Sequence, residues 1–401
     1  MTKQTSNLNN IGIEVSPYYW KETSKLVFGK NKFNPKKPKT VDLFCGCGGF
    51  SIGFDMAGFQ TVLGVDIHPP SLETFSYNNP NANTIVGDMR KVLDSDIIKA
   101  CSGQKIDVVV AGVPCQGFSL CNRKRDKEDE RNFLFREFIR VVNLLKPKYV
   151  LLENVSGMRT LRGGDFVENI KDAISQAANG YRVENLMLNA LDYGVPQRRQ
   201  RLFFQGAAQS YAIRWPTPTH GLRREKYVTV GDALSDLPSL KSCQKTNEYN
   251  GPSTTEYQKL MRKKSRSLYN HEAPNHPLAT VKKIAATTPG KPMYAKFKQR
   301  IRLSMHDPSP TQVAGGIRPQ FQLGHPSDAR GLTVRERCRI QSIPDKFVIH
   351  GGVVQGRVQT GNAVPPLLAK AIAREIKDGI RHRPKTKNTL QEKPVQMVFK
   401  Q

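Results

Sequence analysis

The stretch Ile106-Asp107-Val108-Val109-Val110-Ala111-Gly112-Val113-Pro114-Cys115-Gln116-Gly117-Phe118-Ser119 decides the fold. Its first half is a short apolar run closed by a glycine, the pattern of a parallel strand buried on both faces. The run breaks into a Gly-x-Pro-Cys turn, which puts the sulfur of Cys115 at the carboxyl end of a sheet, where open α/β sheets keep their ligand sites. A second run, Tyr149-Val150-Leu151-Leu152, ends in the same way and delivers Glu153-Asn154-Val155. A thiol and a carboxyl at the tips of two strands suit nucleophilic addition to a ring whose nitrogen must be protonated.

Working outward toward the N-terminus, Thr40-Val41-Asp42-Leu43-Phe44 reads as a first strand, and Cys45 to Gly53 as a glycine-rich turn into a helix. Gly46, Gly48 and Gly49 let the backbone turn tightly and approach a ligand. Their spacing is not that of the dinucleotide fingerprint, so alone the turn is as compatible with a structural strand–turn–helix as with a ligand loop. The next strand, Gln60 to Val65, ends in Asp66, where a carboxylate can accept from both hydroxyls of a ribose. Strands and helices alternating at this spacing predict an α/β, doubly wound, mostly parallel sheet.

Toward the C-terminus, Leu120 to Asn132 is densely charged and reads as a lid beside Cys115, or else as a solvated connector. Phe133, Phe138, Val141, Val142 and Leu145 then recur at helical spacing. Gln197-Arg198-Arg199-Gln200-Arg201 leads into a strand, Leu202-Phe203-Phe204, on which Gln197, Arg199 and Arg201 would share one face.

Of 401 residues, 38% are hydrophobic, enough for a substantial core, and 62 Lys+Arg against 34 Asp+Glu leave a net charge of +28. Such an excess implies a polyanionic partner; a merely solvated basic surface is the competing reading. No run approaches the ~20 apolar residues of a membrane span, and the N-terminus lacks a secretory core. Seven cysteines without framework spacing predict reduced thiols in a cytosol, and the Cys45/Cys47 pair, with no second pair or His cluster, predicts no metal site. From about 206 to 330 the βα alternation stops. No acidic residue lies between Glu272 and Asp307, while Lys282, Lys283, Lys291, Lys296, Lys298, Arg300 and Arg302 interleave with Tyr294 and Phe297. That composition predicts a separate basic domain that reads nucleic acid.

Pro114 to Ser119, then Glu153-Asn154-Val155, then Gln197 to Arg201 resemble, in this order, the signature series of the cytosine-C5 DNA methyltransferases of prokaryotic restriction–modification systems, over about residues 40 to 376. The resemblance implies an S-adenosylmethionine-dependent methyltransferase fold with a smaller target-recognition domain. It implies a catalytic domain in two pieces, 40–206 and 331–380, around a recognition domain at 207–330, with a basic arm at 1–39 and a basic tail at 381–401. Gly331 to Arg337 and Gln341 to Pro344 resemble the return from that domain, and Gln359 to Pro365 would open a helix, Leu367 to Ile376, docked beside the first strand.

The same resemblance implies roles. Cys115 would add to C6 of a flipped-out cytosine, Glu153 would serve N3, and Arg201 would hold O2 with Arg199 as its support. S-adenosyl-L-methionine would meet Phe44, Gly46, Gly48, Gly49, Asp66, Ile67, Asp88 (at the adenine amino group), Pro114 and Asn362. The family usually carries Glu and then an aromatic or other apolar residue where this chain has Asp66, one methylene shorter, and Ile67, which is not aromatic; this bears on cofactor affinity. The implied partner is double-stranded DNA, with a cognate restriction endonuclease as a functional partner, no membrane, and a monomer in the prokaryotic cytoplasm at the nucleoid. Competing readings are an RNA or tRNA cytosine-C5 methyltransferase, an inactive DNA-binding regulator, and a Rossmann-type dehydrogenase. The last is disfavoured by the glycine spacing.

Overall fold

The computed structural model describes residues 24–114, 132–158, 165–314 and 322–382. Cys115, nearly all of the charged stretch 120–132, the first 23 residues and the tail from 383 lie outside the described residues.

In chain order the first half comprises β1 (Lys25–Val27), β2 (Lys39–Leu43), α1 (Gly49–Met56), β3 (Gln60–Asp66), α2 (Pro69–Asn78), β4 (Asn83–Val86), α3 (Asp94–Ala100), β5 (Val108–Gly112), α4 (Asn132–Leu145), β6 (Tyr149–Val155), α5 (Asp165–Gln176), β7 (Tyr181–Asn189) and β8 (Gln200–Ala208). These strands form one sheet in the order β1-β4-β3-β2-β5-β6-β8-β7. From β4 to β6 every neighbouring pair is parallel, whereas β1 and β8 run antiparallel to their neighbours. The winding reverses between β2 and β5, so a crevice opens beyond their carboxyl ends, the usual ligand position of such sheets. The expected doubly wound, mostly parallel sheet is therefore what forms.

The continuous apolar runs follow from burial on both faces. Val108 and Val110 belong to one buried cluster with Phe50, Tyr149, Leu151, Phe203 and Ile372. Val109 and Ala111 belong to the other, with Val41, Leu43, Phe138, Val150, Leu152 and Phe204. Alternate residues of each strand thus serve opposite cores, and neither face has a polar side to display.

The second half is built from shorter pieces until its last helix: α6 (Val230–Leu234), α7 (Glu256–Arg262), α8 (Leu278–Ala286), β9 (Ile301–Arg302), β10 (Leu323–Gly324), α9 (Val334–Ile340), α10 (Gly352–Asn362) and the long α11 (Pro366–Arg381). Capping boxes at Thr229/Asp232, Thr255/Gln258 and Thr333/Glu336 start α6, α7 and α9. Each satisfies amides that a helix of one or two turns could not otherwise spare.

Three sequence expectations change. Residues 25–27 of the basic arm add an antiparallel edge strand to β4, a run too short to show any period. The Gln359–Pro365 stretch ends one helix before opening the next: its first four residues close α10, and α11 runs to Arg381 and packs on α1. A methyl group on Gly53 of α1 would meet Ala369 Cβ at 2.5 Å, so the two backbones approach directly. Finally, the segment 207–330 does not have a core to itself. Val230, Leu234, Tyr257, Met261, Leu303 and Leu323 share the cluster of Phe203 and Ile372, because α6 and α7 cover the same sheet face as α11. Among the described residues of the segment, Ile284 and Met293 form a small cluster apart.

Candidate active site at the strand tips

Parallel pairing puts Gly112 of β5 opposite Glu153 of β6, and antiparallel pairing puts Val155 of β6 opposite Arg201 of β8. Glu153 and Arg201 are therefore diagonal neighbours on one face, within reach of long side chains. Arg201 Nε donates to Glu153 Oε1 at 2.9 Å, with both side chains largely buried, and Arg201 Nη1 donates to the carbonyl of Gln200. A Cβ on Gly112 would sit 3.8 Å from Glu153 Oε2 and 3.9 Å from the Phe44 carbonyl. The lack of a side chain there leaves the carboxylate and the β2 turn facing each other at the mouth of the crevice. Pro114, exposed, follows two residues on; Cys115, the next residue in the chain, is outside the described residues.

Gln197 and Arg199 precede β8, so they do not share a strand face with Arg201 as the alternation suggested. Both are buried. Gln197 Oε1 accepts from the amide of Gln312, and the Arg199 guanidinium donates to the carbonyls of Gln312 and Gly361, at 3.1 Å each. Arg199 thus ties the entrance of β8 to the last turn of α10, one residue before Asn362, whose side is exposed.

The β2 turn is held from below. Phe44 adopts φ 55 and Gly46 φ 53; Phe44 carries the strain of a left-handed backbone that glycine would not feel. Asp66 Oδ2 accepts from the Gly46 amide at 2.7 Å and Oδ1 from the His68 amide at 2.8 Å. Burial raises the Asp66 pKa against those two hydrogen bonds. Nothing lies within 4 Å of a Cβ built on Gly46, whereas Gly48 is tight against the Phe75 ring and Gly49 against the Val364 carbonyl. Ile67, beside Asp66, is 45% exposed. The Gly87 amide donates to the Asp66 carbonyl, which brings Asp88 next to this group.

Two residues of the neighbourhood escaped the sequence reading. Arg90 clamps Asp88 through Nε, at 3.0 and 2.9 Å, and Nη2 at 2.6 Å. Burial works against the Asp88 charge, but Arg90 outweighs it and holds the pKa below the ordinary value. An Asp-x-Arg spacing is the only trace of this in the sequence. Beneath the turn, Asp42 Oδ2 accepts from the Ser51 hydroxyl at 2.6 Å and the Ser51 amide at 3.2 Å. Burial pushes its carboxyl up to about 7. In the basic segment, Arg300 and Arg302 are buried rather than displayed: Arg300 stacks on Tyr294 and Phe297, and Arg302 holds the last carbonyls of α8.

Among the described residues no group of three His, Cys, Asp or Glu could hold a metal ion, and no helix is long and apolar enough to cross a membrane.

The chain is similar to known proteins over most of its length. The family model for C-5 cytosine-specific DNA methylases matches residues 38–378. The chain is 36% identical to the Type II methyltransferase M1.HphI of Haemophilus parahaemolyticus, covering 84% of this chain and 86% of that one. It is 35% identical to the Type II methyltransferase M.DdeI of Desulfomicrobium norvegicum, covering 84% and 88%. Among solved structures, a prophage-encoded Escherichia coli protein described as a DNA modification methyltransferase superposes with a TM-score of 0.72 at 25% identity, over 86% of this chain and all of that one. The S. pombe Dnmt2 methyltransferase, at 14% identity and a TM-score of 0.54, shares the fold. A match that begins one residue before β2 and ends inside α11 takes in the whole crevice and everything that lines it: the chain belongs to the C-5 cytosine-specific DNA methylase family.

Proposed function

We propose that this chain methylates C5 of a cytosine within a specific sequence of duplex DNA, as the modification enzyme of a restriction–modification system. The observation that carries the reading is the meeting of Glu153, Arg201, Gly112 and the Phe44 turn at the crevice, in a chain whose relatives are Type II methyltransferases.

Cytosine C5 is too poor a nucleophile to take a methyl group unaided. Cys115 adds to C6 as the thiolate and makes C5 enamine-like. Once C5 carries the methyl group, loss of the C5 proton, to water or another base, and elimination of the Cys115 thiolate from C6 restore the ring and release the enzyme. Glu153 serves N3, sharing a proton as charge develops on the ring. Arg201 holds O2 by a charge-assisted hydrogen bond and, through Nε, fixes the direction of the Glu153 carboxylate. Arg199 supports this corner through the carbonyls of Gln312 and Gly361. The target base must leave the duplex to reach these groups.

The residues around the β2 turn fit S-adenosyl-L-methionine. Open space beside Gly46, the carboxylate of Asp66 fixed by two amides, and the exposed Ile67 form a cradle that a larger residue at 46 would fill. When bound, the cofactor supplies the electrophilic sulfonium methyl. Phe44, Gly46, Pro114 and Asn362 would line it, Asp66 would take the ribose, Ile67 would cover the adenine and Asp88 would meet its amino group. Gly48 and Gly49 shape the turn by close packing. We read the enzyme as a cytoplasmic monomer working beside an endonuclease of the same site, with residues 207–330 carrying sequence recognition.

Bisulfite sequencing of genomic DNA from a host expressing the chain, beside a Cys115→Ser control, tests the reading. Protected cytosines at one recurring sequence, absent in the control, are expected. Soluble protein with no protected site would overturn it.

A further inference from the structure

Four arginines between residues 330 and 339 are buried, and three of them have carboxylates. Arg330 pairs with Glu336 and Asp328, Arg335 with Asp345, and Arg339 with Asp345 and Asp236. Arg337, on the same helix α9, has none among the described residues. Its Nε donates to Thr360 Oγ1 at 3.0 Å and its Nη2 to the Val313 carbonyl at 2.9 Å, so its charge is hydrogen-bonded but not neutralised.

Arg337 lines a cleft of about 330 Å³ between α10 and the segments around 243, 272–276 and 322. Arg357 of α10 enters the same cleft, half-buried and without an ion pair among the described residues. The walls include Leu323, Leu332, Val353 and Val354, an apolar surround that strengthens any charge interaction inside. Burial, and then the charge of Arg357, lower the Arg337 pKa to about 9. Burial followed by Arg357 and Arg330 lowers that of His276 on the facing wall. Glu272 lies on the cleft too, exposed, and forms an ion pair with neither arginine. Two poorly hydrated guanidinium groups in one cleft, neither in an ion pair with a carboxylate among the described residues, form half of an anion site.

We propose that this cleft binds a phosphate of the DNA backbone, with Arg357 as its outer contact and Arg337 as its inner one. The proposal rests on the DNA substrate read above. Duplex DNA suits the site better than a free anion, since the cleft opens between the segment read as the recognition region and the helix that leads to Asn362, on a chain of net charge +28. A contact of this kind positions the duplex without reading its sequence.

The test is binding of a random-sequence 30-base-pair duplex to the full chain across a salt series, for wild type, Arg357→Gln and Arg357→Lys. Loss of one phosphate contact should weaken binding about tenfold and reduce the slope of log K against log salt by about 1. The lysine variant, which keeps the charge, should recover most of the slope. Unchanged thermal stability and S-adenosylhomocysteine affinity would show that the fold and cofactor site are intact. An Arg357→Gln protein with wild-type affinity and slope would overturn the proposal. If inorganic phosphate then raises the melting temperature of the wild type but not of that variant, the cleft is a small-anion site and the DNA assignment is wrong. Failure of the wild type to bind duplex DNA at all would instead strike the function proposed above.

Discussion

Two arginine–carboxylate pairs set the halves of this molecule against each other. Arg201 meets Glu153 at the tip of a sheet, at the edge of a crevice. Arg339 meets Asp345 and Asp236 with no exposure on any of the three side chains. In the sheet half, backbone groups are satisfied by the strand ladder, so charged side chains are left for the strand ends, where a substrate can use them. The other half, up to α9, has short helices and a two-residue strand pair, and its carbonyls need other donors. Arginine supplies them. Arg335 donates to the carbonyls of Tyr269, Pro344 and Phe347, and Arg302 to those of Ile284, Ala285 and Thr287. Part of the large positive charge is therefore a substitute for secondary structure and is not available to a phosphate backbone.

The comparison is broken most forcefully at Arg339. Arg339→Ala takes the closest cation from two buried carboxylates, leaving Asp236 only Arg262 at 3.4 Å and Asp345 only Arg335 at 3.7 Å, and should cost about 3–5 kcal/mol of stability, read as a fall in the urea midpoint. A loss under 1 kcal/mol would mean that the network is not structural. Arg201→Ala should do the reverse. Methyl transfer should fall about 10²–10³-fold, the usual cost of losing one positioned donor, while the midpoint stays close to wild type because Arg201 borders an open crevice. Were Arg201→Ala to unfold the protein as readily as Arg339→Ala, the contrast between the two pairs would disappear.

The two halves were also unequally legible. The apolar runs at 106–111, 149–152 and 202–204 are bounded by turn residues, and the proposed site residues Glu153 and Arg201 sit where those runs stop. Placing them at strand tips needed only the length of each run. α10 could not be read in this way. Its sequence carries Gly352, Gly356 and Gly361 among β-branched residues, a poor helix by propensity. Two of these glycines are there for contact: a Cβ on Gly356 would strike Val334, and one on Gly361 would strike Ala314. Tertiary packing holds that helix, and no local pattern announces it. Nor does any pattern separate the buried Arg300 and Arg302 from the lysines around them, since burial there depends on Tyr294, Phe297 and the end of α8.

A smaller effect sharpens the comparison by sign. Asp42 is a buried carboxyl of the sheet half with no ion pair among the described residues: its partner is Ser51, and its Oδ1 accepts from nothing among the described residues. Burial holds its pKa at about 7, above the unfolded value of about 3.9. The folded chain therefore keeps a proton that the unfolded chain has lost, and this group's contribution to stability declines as pH rises from about 4 to about 7 and is flat beyond. Asp345 behaves oppositely. Burial opposes its charge, but Arg339 and Arg335 prevail and lower its pKa, so its contribution is present above the unfolded value and lost in acid. Asp42→Asn mimics the protonated form and keeps an acceptor for Ser51. Relative to wild type it should gain on the order of 2 kcal/mol between pH 5 and pH 8, measured by urea unfolding at the two values. A difference that does not change with pH would mean that Asp42 is ionised throughout, and that the sheet half tolerates a buried charge without the guanidinium partners on which the other half relies.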